Sequence, residues 1–487
     1  MFALLTNFIY LISVISILSI IFMERKNPQT TIAWVMVIVF LPVVGVLLYL
    51  VLGTSGALTR LFRRRMKKRS AFTDEYSKLL YSQLKQGAER RIKFSSERME
   101  RCLDIVRMHL AQSSSLYTTN NDIRIFVDAR SHYQDLFDEI RKARYHINVE
   151  YFIIQNDEVG RKLVELLAEK AREGVDVRLL YDEFGSFRTN IRFFDPIVQS
   201  GGKVCRFYTT RLANLLSVNH RNHRKIVVID GRVGYTGGMN IGREYMGLRK
   251  NTSPWRDTAI KLWGGSVAML QIRFLLDWTF CAPNDLSLDD PEIFDFFFPL
   301  DERDTGTIAA QIVSSGPDVG VDSIKNGYLK MINNARETLY IQTPYLIPDE
   351  PMLQALRMAA ASGVDVRIMI PGIPDKKFVY AITLSYVEEL LKCGIRVYFH
   401  EGFLHSKSIV MDDLVASIGT TNFDIRSFAL NFEVNAFLYD EGVAQECREI
   451  FLEDTKHCVE MTADAFAQRG WGTRVVESIF RLLAYLS

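Results

Sequence analysis

The sequence predicts two similar α/β units packed as a pseudo-dimer, preceded by an N-terminal transmembrane helical hairpin. Three observations carry that expectation. Two stretches without a charged residue, 2–23 and 31–52, open the chain. GVDVR stands at residues 174–178 and again at 363–367, each time inside a longer segment of like pattern. Within those segments, runs rich in β-branched residues alternate with runs of helical period, the mark of sheets covered by helices.

In chain order, each opening stretch supplies the roughly 20 helical residues that cross a hydrocarbon core of about 30 Å. The connector ERKNPQT between them carries charge and Pro28, as a hairpin turn does. A cleaved signal peptide is disfavoured, because no basic segment precedes the first stretch and no small-residue cleavage site precedes Glu24. Seven basic residues follow the second stretch: Arg60, Arg63, Arg64, Arg65, Lys67, Lys68 and Arg69. By the positive-inside rule they hold that end in the cytoplasm, with Arg25 and Lys26 pulling weakly the other way, so both termini are expected there. The cluster also suits anionic lipid headgroups, or a plain solvated linker. Residues 1–53 are thus read as two transmembrane helices, and 54–119 as a basic juxtamembrane and helical connector.

The formal net charge is +2, and the chain outside the basic cluster carries −5. Such a body argues against nucleic acid as a partner. Six cysteines (Cys102, Cys205, Cys281, Cys393, Cys447, Cys458) lack CxxC or zinc-like spacing and read as reduced thiols.

The two units are placed at residues 120–291 and 292–461. Each reads strand, helix, strand, helix, strand, and then a motif strand. INVEYFII, VGRKLVELLAEKAREG and VDVRLLYD begin the first; LYIQTPYL, MLQALRMAAASG and VDVRIMI begin the second. The offset between copies is 189 at GVDVR and 182 at the motifs, so the first carries extra residues around TTRLANLLSVN. EIFDFFFPL, residues 292–300, reads as a lipid contact or as a linker with core aromatics. In the last segment, 462–487, Val475, Val476, Ile479, Phe480, Leu482, Leu483 and Leu486 make a broad apolar face beside Arg474, Glu477 and Arg481. That helix suits a lipid interface or packing against its own domain.

The chemistry lies in a pattern written twice: His223, Lys225, Asp230 in HRKIVVID, and His405, Lys407, Asp412 in HSKSIVMD. Residues two apart on a strand leave from one face, so each His and Lys point together. A proton-exchanging imidazole beside a fixed cation suits an anionic group such as a phosphate. Asp230 and Asp412 stand an odd step from the lysines and directly before a turn, which assigns them a mainly structural role. Asn240 in GGMN and Asn422 in GTTN are candidate phosphate donors, and Gly237, Gly238 and Gly419 permit close backbone approach. Asp257 and Glu433 are the candidates for orienting the histidines, each serving the His of the opposite unit.

The paired HxKxxxxD motifs, followed by GGMN and GTTNFDIRSF, resemble the phospholipase D superfamily. With the hairpin, VNHRNHRKIVVIDGRVGYTGGMNIGREY and FLHSKSIVMDDLVASIGTTNFDIRSFALNFEVNAFLYD are similar to the bacterial cardiolipin synthases, over nearly the whole chain. The resemblance implies two phospholipase D-like units whose His, Lys and Asp form the catalytic motifs. It implies reversible phosphatidyl transfer between two phosphatidylglycerol molecules, giving cardiolipin and glycerol through a phosphohistidine. His223 is the nucleophile and His405 the acid/base by resemblance; the residues alone do not decide between them. No cofactor and no metal are expected. The partners implied are phosphatidylglycerol, cardiolipin and the bilayer, with a homo-oligomer left open, at a bacterial cell membrane with the catalytic units cytoplasmic. The rival readings are a hydrolytic membrane-bound phospholipase D, an enzyme making phosphatidylserine from a nucleotide-activated lipid, and a non-catalytic anionic-lipid scaffold.

Overall fold

The structure, a computed structural model, describes residues 2–23, 28–49, 74–207, 220–248, 254–287, 290–299, 306–482 and 484. The basic cluster at 60–69, the segment TTRLANLLSVN, Leu483 and Leu486 lie outside the described residues.

The first apolar stretch forms one helix, Phe2–Met23. The second is broken: helix Pro28–Phe40 ends before Leu41, and a new helix, Pro42–Leu48, follows. Proline explains both starts, since its ring suits a first helical turn but blocks continuation of a helix that precedes it. The single continuous helix expected over residues 31–52 is therefore corrected, within the described residues, to two shorter helices. Ile20, Trp34, Ile38 and Tyr49 form a small core between the arms, while Leu11, Val14, Phe22, Met36, Phe40 and Leu47 stay exposed. Side chains of the first helix are described from Tyr10 to Phe22, and among the described residues no helix is long and apolar enough to cross a membrane.

The body is built on strands β1 (Thr118–Phe126), β2 (His146–Tyr151), β3 (Asp176–Asp182), β4 (Lys203–Phe207), β5 (Ile226–Ile229), β6 (Val233–Gly237), β7 (Trp255–Arg256) and β8 (Ala259–Trp263). The second half holds β9 (Ile308–Ser315), β10 (Thr338–Gln342), β11 (Asp365–Pro371), β12 (Arg396–His400), β13 (Phe403–Leu404), β14 (Ser408–Met411), β15 (Val415–Gly419), β16 (Glu433–Tyr439) and β17 (Cys458–Met461), with β9–β12 and β14–β16 repeating β1–β6 and β8. Fifteen strands make one sheet in the order β17-β12-β11-β10-β14-β15-β16-β9-β1-β8-β6-β5-β2-β3-β4. Read outward from the antiparallel β9–β1 seam, the two sides have the same order. The buried amide of Asn121 reinforces the seam, donating to the Ile308 carbonyl at 2.8 Å and accepting from the Ser266 N–H at 2.7 Å.

GVDVR owes its recurrence to local geometry. Gly174 and Gly363 each follow a helix at φ 90°, where a side chain is strained, and the next residues enter β3 and β11. The helices begin on Asp157 and Asp349, whose side chains accept first-turn N–H groups. One apolar core crosses the midline: Phe274 and Trp278 of helix Gly265–Cys281 join Ile260, Ile312, Val410 and Ala436 from both halves. The halves therefore share a core and cannot part like two domains on a linker. Phe297 is buried in that core, so EIFDFFFPL acts as a linker with core aromatics. Helix Leu103–Ser113, placed in the connector by sequence, buries Ile105, Val106 and Leu110 in the core of the second half.

Asp230 and Asp412 are tethers of matched design. Both sit at positive φ (53° and 52°) just after the motif strands. Asp230 accepts from the backbone N–H groups of Arg144, Tyr145 and His146 at 2.7–2.9 Å. Asp412 accepts from those of Arg336, Glu337 and Thr338 at 2.8–2.9 Å, and from Arg101 at 2.6 Å. Each carboxylate thus locks the start of β2 or β10 to the end of the motif strand, away from the histidines. Asp412→Ala is expected to destabilise the fold by about 2–4 kcal/mol, because it leaves the backbone donors of Arg336, Glu337 and Thr338 without their acceptor and removes the ion pair of the half-buried Arg101. Asp230→Ala, at a less buried site, should lose less. Urea midpoints in detergent would check the ranking; equal and near-wild-type midpoints would refute it.

Candidate active site

The two motif histidines are delivered by equivalent backbone pairings between halves. Parallel ribbon β7–β13 sets Trp255 opposite Phe403 and Arg256 opposite Leu404, so Asp257 and His405 come next side by side. The His405 N–H donates to the Arg256 carbonyl at 2.6 Å. A single parallel bridge between Asn222 and Phe432 does the same for His223 and Glu433, with the His223 N–H on the Phe432 carbonyl at 2.9 Å. Each carboxylate therefore meets the imidazole of the other half: Glu433 lies 2.9 Å from His223 Nδ1, and Asp257 lies 2.6 Å from His405 Nδ1.

Burial sets the protonation. It pushes His223 down to about 4 and His405 to about 3, the neighbouring lysines adding to the depression and the facing carboxylates opposing it. Burial would raise the carboxyls, but the imidazoles and lysines more than offset it, and Asp257 and Glu433 end below their ordinary range. Near neutral pH each ring is thus uncharged, its Nδ1–H donates to an ionised carboxylate, and Nε2 keeps the lone pair. Burial also lowers Lys225 to about 7 and Lys407 to about 8. Their ammonium groups donate to the His223 carbonyl, at 2.7 Å, and to the His405 carbonyl.

Other expected residues fall close by, with roles more specific than those read from sequence. Gly238 makes room for a carboxylate: a Cβ there would stand 2.1 Å from Asp257 Oδ1. Its counterpart in the second half is Thr420, whose hydroxyl donates to Glu433. Asn240 accepts from the Ile153 N–H at 3.1 Å and donates to Tyr245 Oη at 3.0 Å, leaving one amide N–H for a ligand. Asn422 is buried on the wall of the same cleft.

Sequence reasoning missed the supports. Asn431 donates to the second oxygen of Glu433 at 3.2 Å. Arg224, fully buried, pairs with both oxygens of Asp277 and donates through Nε to the Glu433 carbonyl at 3.2 Å. Ser406 takes its place in the other half, bonding Thr258 and Gln342. Nothing in the spacing distinguishes Arg224 from a surface arginine; its partners lie 53 and 209 positions away.

Both histidines open on one cleft of about 1070 Å³ lined by both halves. Phe152 packs on His223 at 5.0 Å, and Trp255, Phe403 and Tyr245 surround His405 at 5.4–6.0 Å. Arg188, Arg221, Arg243, Lys376 and Arg426 line the wall beside Glu244, Asp375 and Asp424, so cations outnumber carboxylates in a largely apolar site. Such a site can hold an anion and offers two uncharged imidazoles to it.

The family model described as "Cardiolipin synthase, PLD-like domain" matches residues 136–253 and 328–455, and "Phospholipase_D-nuclease N-terminal" matches 11–53. The major cardiolipin synthase ClsA of Bacillus subtilis (strain 168) is 41% identical over 99% of this chain and 98% of its own. The cardiolipin synthase of Clostridium perfringens (strain SM101 / Type A) is 42% identical over 95% of each. Among solved structures, phosphatidylserine synthase from Haemophilus influenzae Rd KW20 shares the fold, with a TM-score of 0.58, 14% identity, 78% of this chain and 97% of that one covered.

Proposed function

The chain belongs to the cardiolipin synthases of the phospholipase D superfamily, and from that premise we propose that it joins two phosphatidylglycerol molecules into cardiolipin through a phosphohistidine on His223. The observation that carries the reading is the pair of imidazole–carboxylate couples, one drawn from each half, on a single cationic cleft. Nε2 of His223 attacks phosphorus, the bond to the departing glycerol breaks, and His405 gives that oxygen its proton. His405, neutral again, takes the proton of a hydroxyl on the second phosphatidylglycerol. That oxygen attacks phosphorus and the P–N bond breaks. One phosphodiester replaces another, so the exchange is reversible and needs no nucleotide. Lys225, Lys407 and the amides of Asn240 and Asn422 hold the non-bridging oxygens, while Glu433 and Asp257 fix the tautomers.

The test is a product assay. Purified protein given phosphatidylglycerol alone should form cardiolipin and free glycerol in equal amounts; phosphatidic acid as the sole lipid product would instead make it a hydrolase. The apolar wall around both rings favours transfer, because water competes for the intermediate only where it has access. A scaffold without turnover is disfavoured by two intact motifs.

A pH prediction follows from the lysines. Lys225 loses its positive charge as pH rises through about 7, and Lys407 as it rises through about 8. The proton that His405 donates must also be taken up with the substrate, whose negative charge opposes the lysine charge that depresses the ring. Both effects have one sign: kcat/KM should fall as pH rises from 6 to 9, by up to roughly tenfold per unit for each proton required. No acid limb is expected above about pH 5, since the histidines titrate at about 4 and 3. Short-chain phosphatidylglycerol, singly charged throughout this range, is the substrate to use. A limb near pH 6.5 would contradict the reading.

The same proposal places the N-terminal helices in the cell membrane. Residues 2–23 carry no charge and form an unbroken helix, about 33 Å long at 1.5 Å per residue. The return arm is kinked at Leu41–Pro42, and apolar side chains on both arms face outward. The basic residues at 60–69 hold the catalytic halves on the cytoplasmic side.

A further inference from the structure

Helix Trp471–Leu482 turns Glu477, Arg481 and Phe480 toward the protein, while Thr473 and Ser478 stay exposed. Glu477 is buried and paired with Arg469. Arg481 donates to the Ser385 carbonyl at 3.3 Å and to Glu389 at 2.9 Å, and covers the Tyr386 ring at 4.3 Å. Arg474 reaches Glu388 at 3.3 Å. All three charges are thus engaged with helix Lys377–Lys392 or the turn before Trp471. The apolar side faces out: Trp471 is 81% exposed, Leu482 73%, Ile479 55% and Val476 46%. A surface helix of a soluble domain does the reverse.

The helix that carries this stripe is joined to the cleft wall through Phe480. Phe480 packs edge-on against Phe378 at 5.0 Å, and the neighbouring Lys376, Val379 and Ile382 line the cleft wall. On the other half, Phe184, Phe187 and Leu248 also line the cleft and are 50%, 70% and 52% exposed. Apolar surface therefore borders the opening on both sides. Because its charges are already paired within the protein, the stripe can enter an apolar medium without desolvating a free ion.

We propose that helix Trp471–Leu482 lies in the lipid interface and sets the cleft mouth on the membrane, with Phe184, Phe187 and Leu248 as the opposite lip. The proposal rests on the phosphatidyl-transfer reading, in which lipid substrates must pass from a bilayer to the histidines. The inside-out helix turns an anchored enzyme into an oriented one.

The test uses the full chain in phosphatidylcholine vesicles containing phosphatidylglycerol, with brominated acyl chains as quencher. The difference in tryptophan emission between the wild type and Trp471→Phe isolates one indole. Lipid bromine should quench that difference by half or more, and aqueous iodide should not. The Ile479→Asp/Leu482→Asp variant should abolish the quenching and lower kcat/KM on vesicles by about tenfold or more, with turnover of monomeric short-chain phosphatidylglycerol unchanged. Iodide quenching with no effect of bromine would overturn the proposal. So would equal losses on both substrates, or shielding that grows with protein concentration without lipid, which would assign the stripe to a second copy. The fluorescence measurement requires no turnover, so it separates failure of this inference from failure of the phosphatidyl-transfer reading.

Discussion

Replacing His223 by alanine should lower cardiolipin formation by at least about 10⁴-fold, because no other group then attacks phosphorus. His405→Ala should be nearly as severe on phosphatidylglycerol, whose glycerol leaves poorly without a proton. The two losses differ in kind. A phosphatidyl ester of p-nitrophenol has a leaving group that needs no protonation, so His405→Ala should still release a stoichiometric burst of nitrophenol and stop at the phosphohistidine. His223→Ala should give none. The reverse pattern would exchange the roles of the two histidines. The halves differ enough for this to be decided by experiment: Arg224 braces Glu433 behind His223, where Ser406 stands in the other half.

The second large effect concerns the carboxylates. Glu433→Gln and Asp257→Asn should each reduce kcat by about 10²–10⁴-fold with little change in volume, because an amide nitrogen can donate to Nδ1 and hold the wrong tautomer. The assignment crosses the halves, which makes the test specific. Glu433→Gln, though it lies in the second half, should behave like His223→Ala and give no nitrophenol burst. Asp257→Asn should behave like His405→Ala and keep it. If each carboxylate variant instead copied the histidine of its own half, the crossed pairing would be wrong. Urea midpoints close to wild type would exclude collapse of the site as the cause.

Much of this was legible in the chain itself. The doubled His-x-Lys pattern, the glycine-led GVDVR strands and the carboxylates Asp257 and Glu433 all stand in matching places. Strand and helix periods depend on neighbours in sequence, so the α/β alternation could be read directly. The demotion of Asp230 and Asp412 also followed from local parity, and both prove to be backbone tethers. The break at Pro42 was missed because hydropathy registers apolar character, which is continuous there, and not the lost helical hydrogen bond.

The sequence by itself determined the chemistry available: which residue types recur, in what order, and beside which strands. Tertiary structure alone decided the pairing. Bridges Asn222–Phe432 and β7–β13 join segments about 150 to 210 residues apart, and no local rule specifies which distant backbone a strand end will meet. The shared core around Trp278 is what holds those bridges in register. It also sets the protonation state, since burial, which depends on every surrounding element, is the largest influence on His223 and His405. The outward apolar stripe of the last helix has the same origin. Its amphipathy is written in sequence, but which side faces the protein was settled by the ion pairs with Glu388 and Glu389.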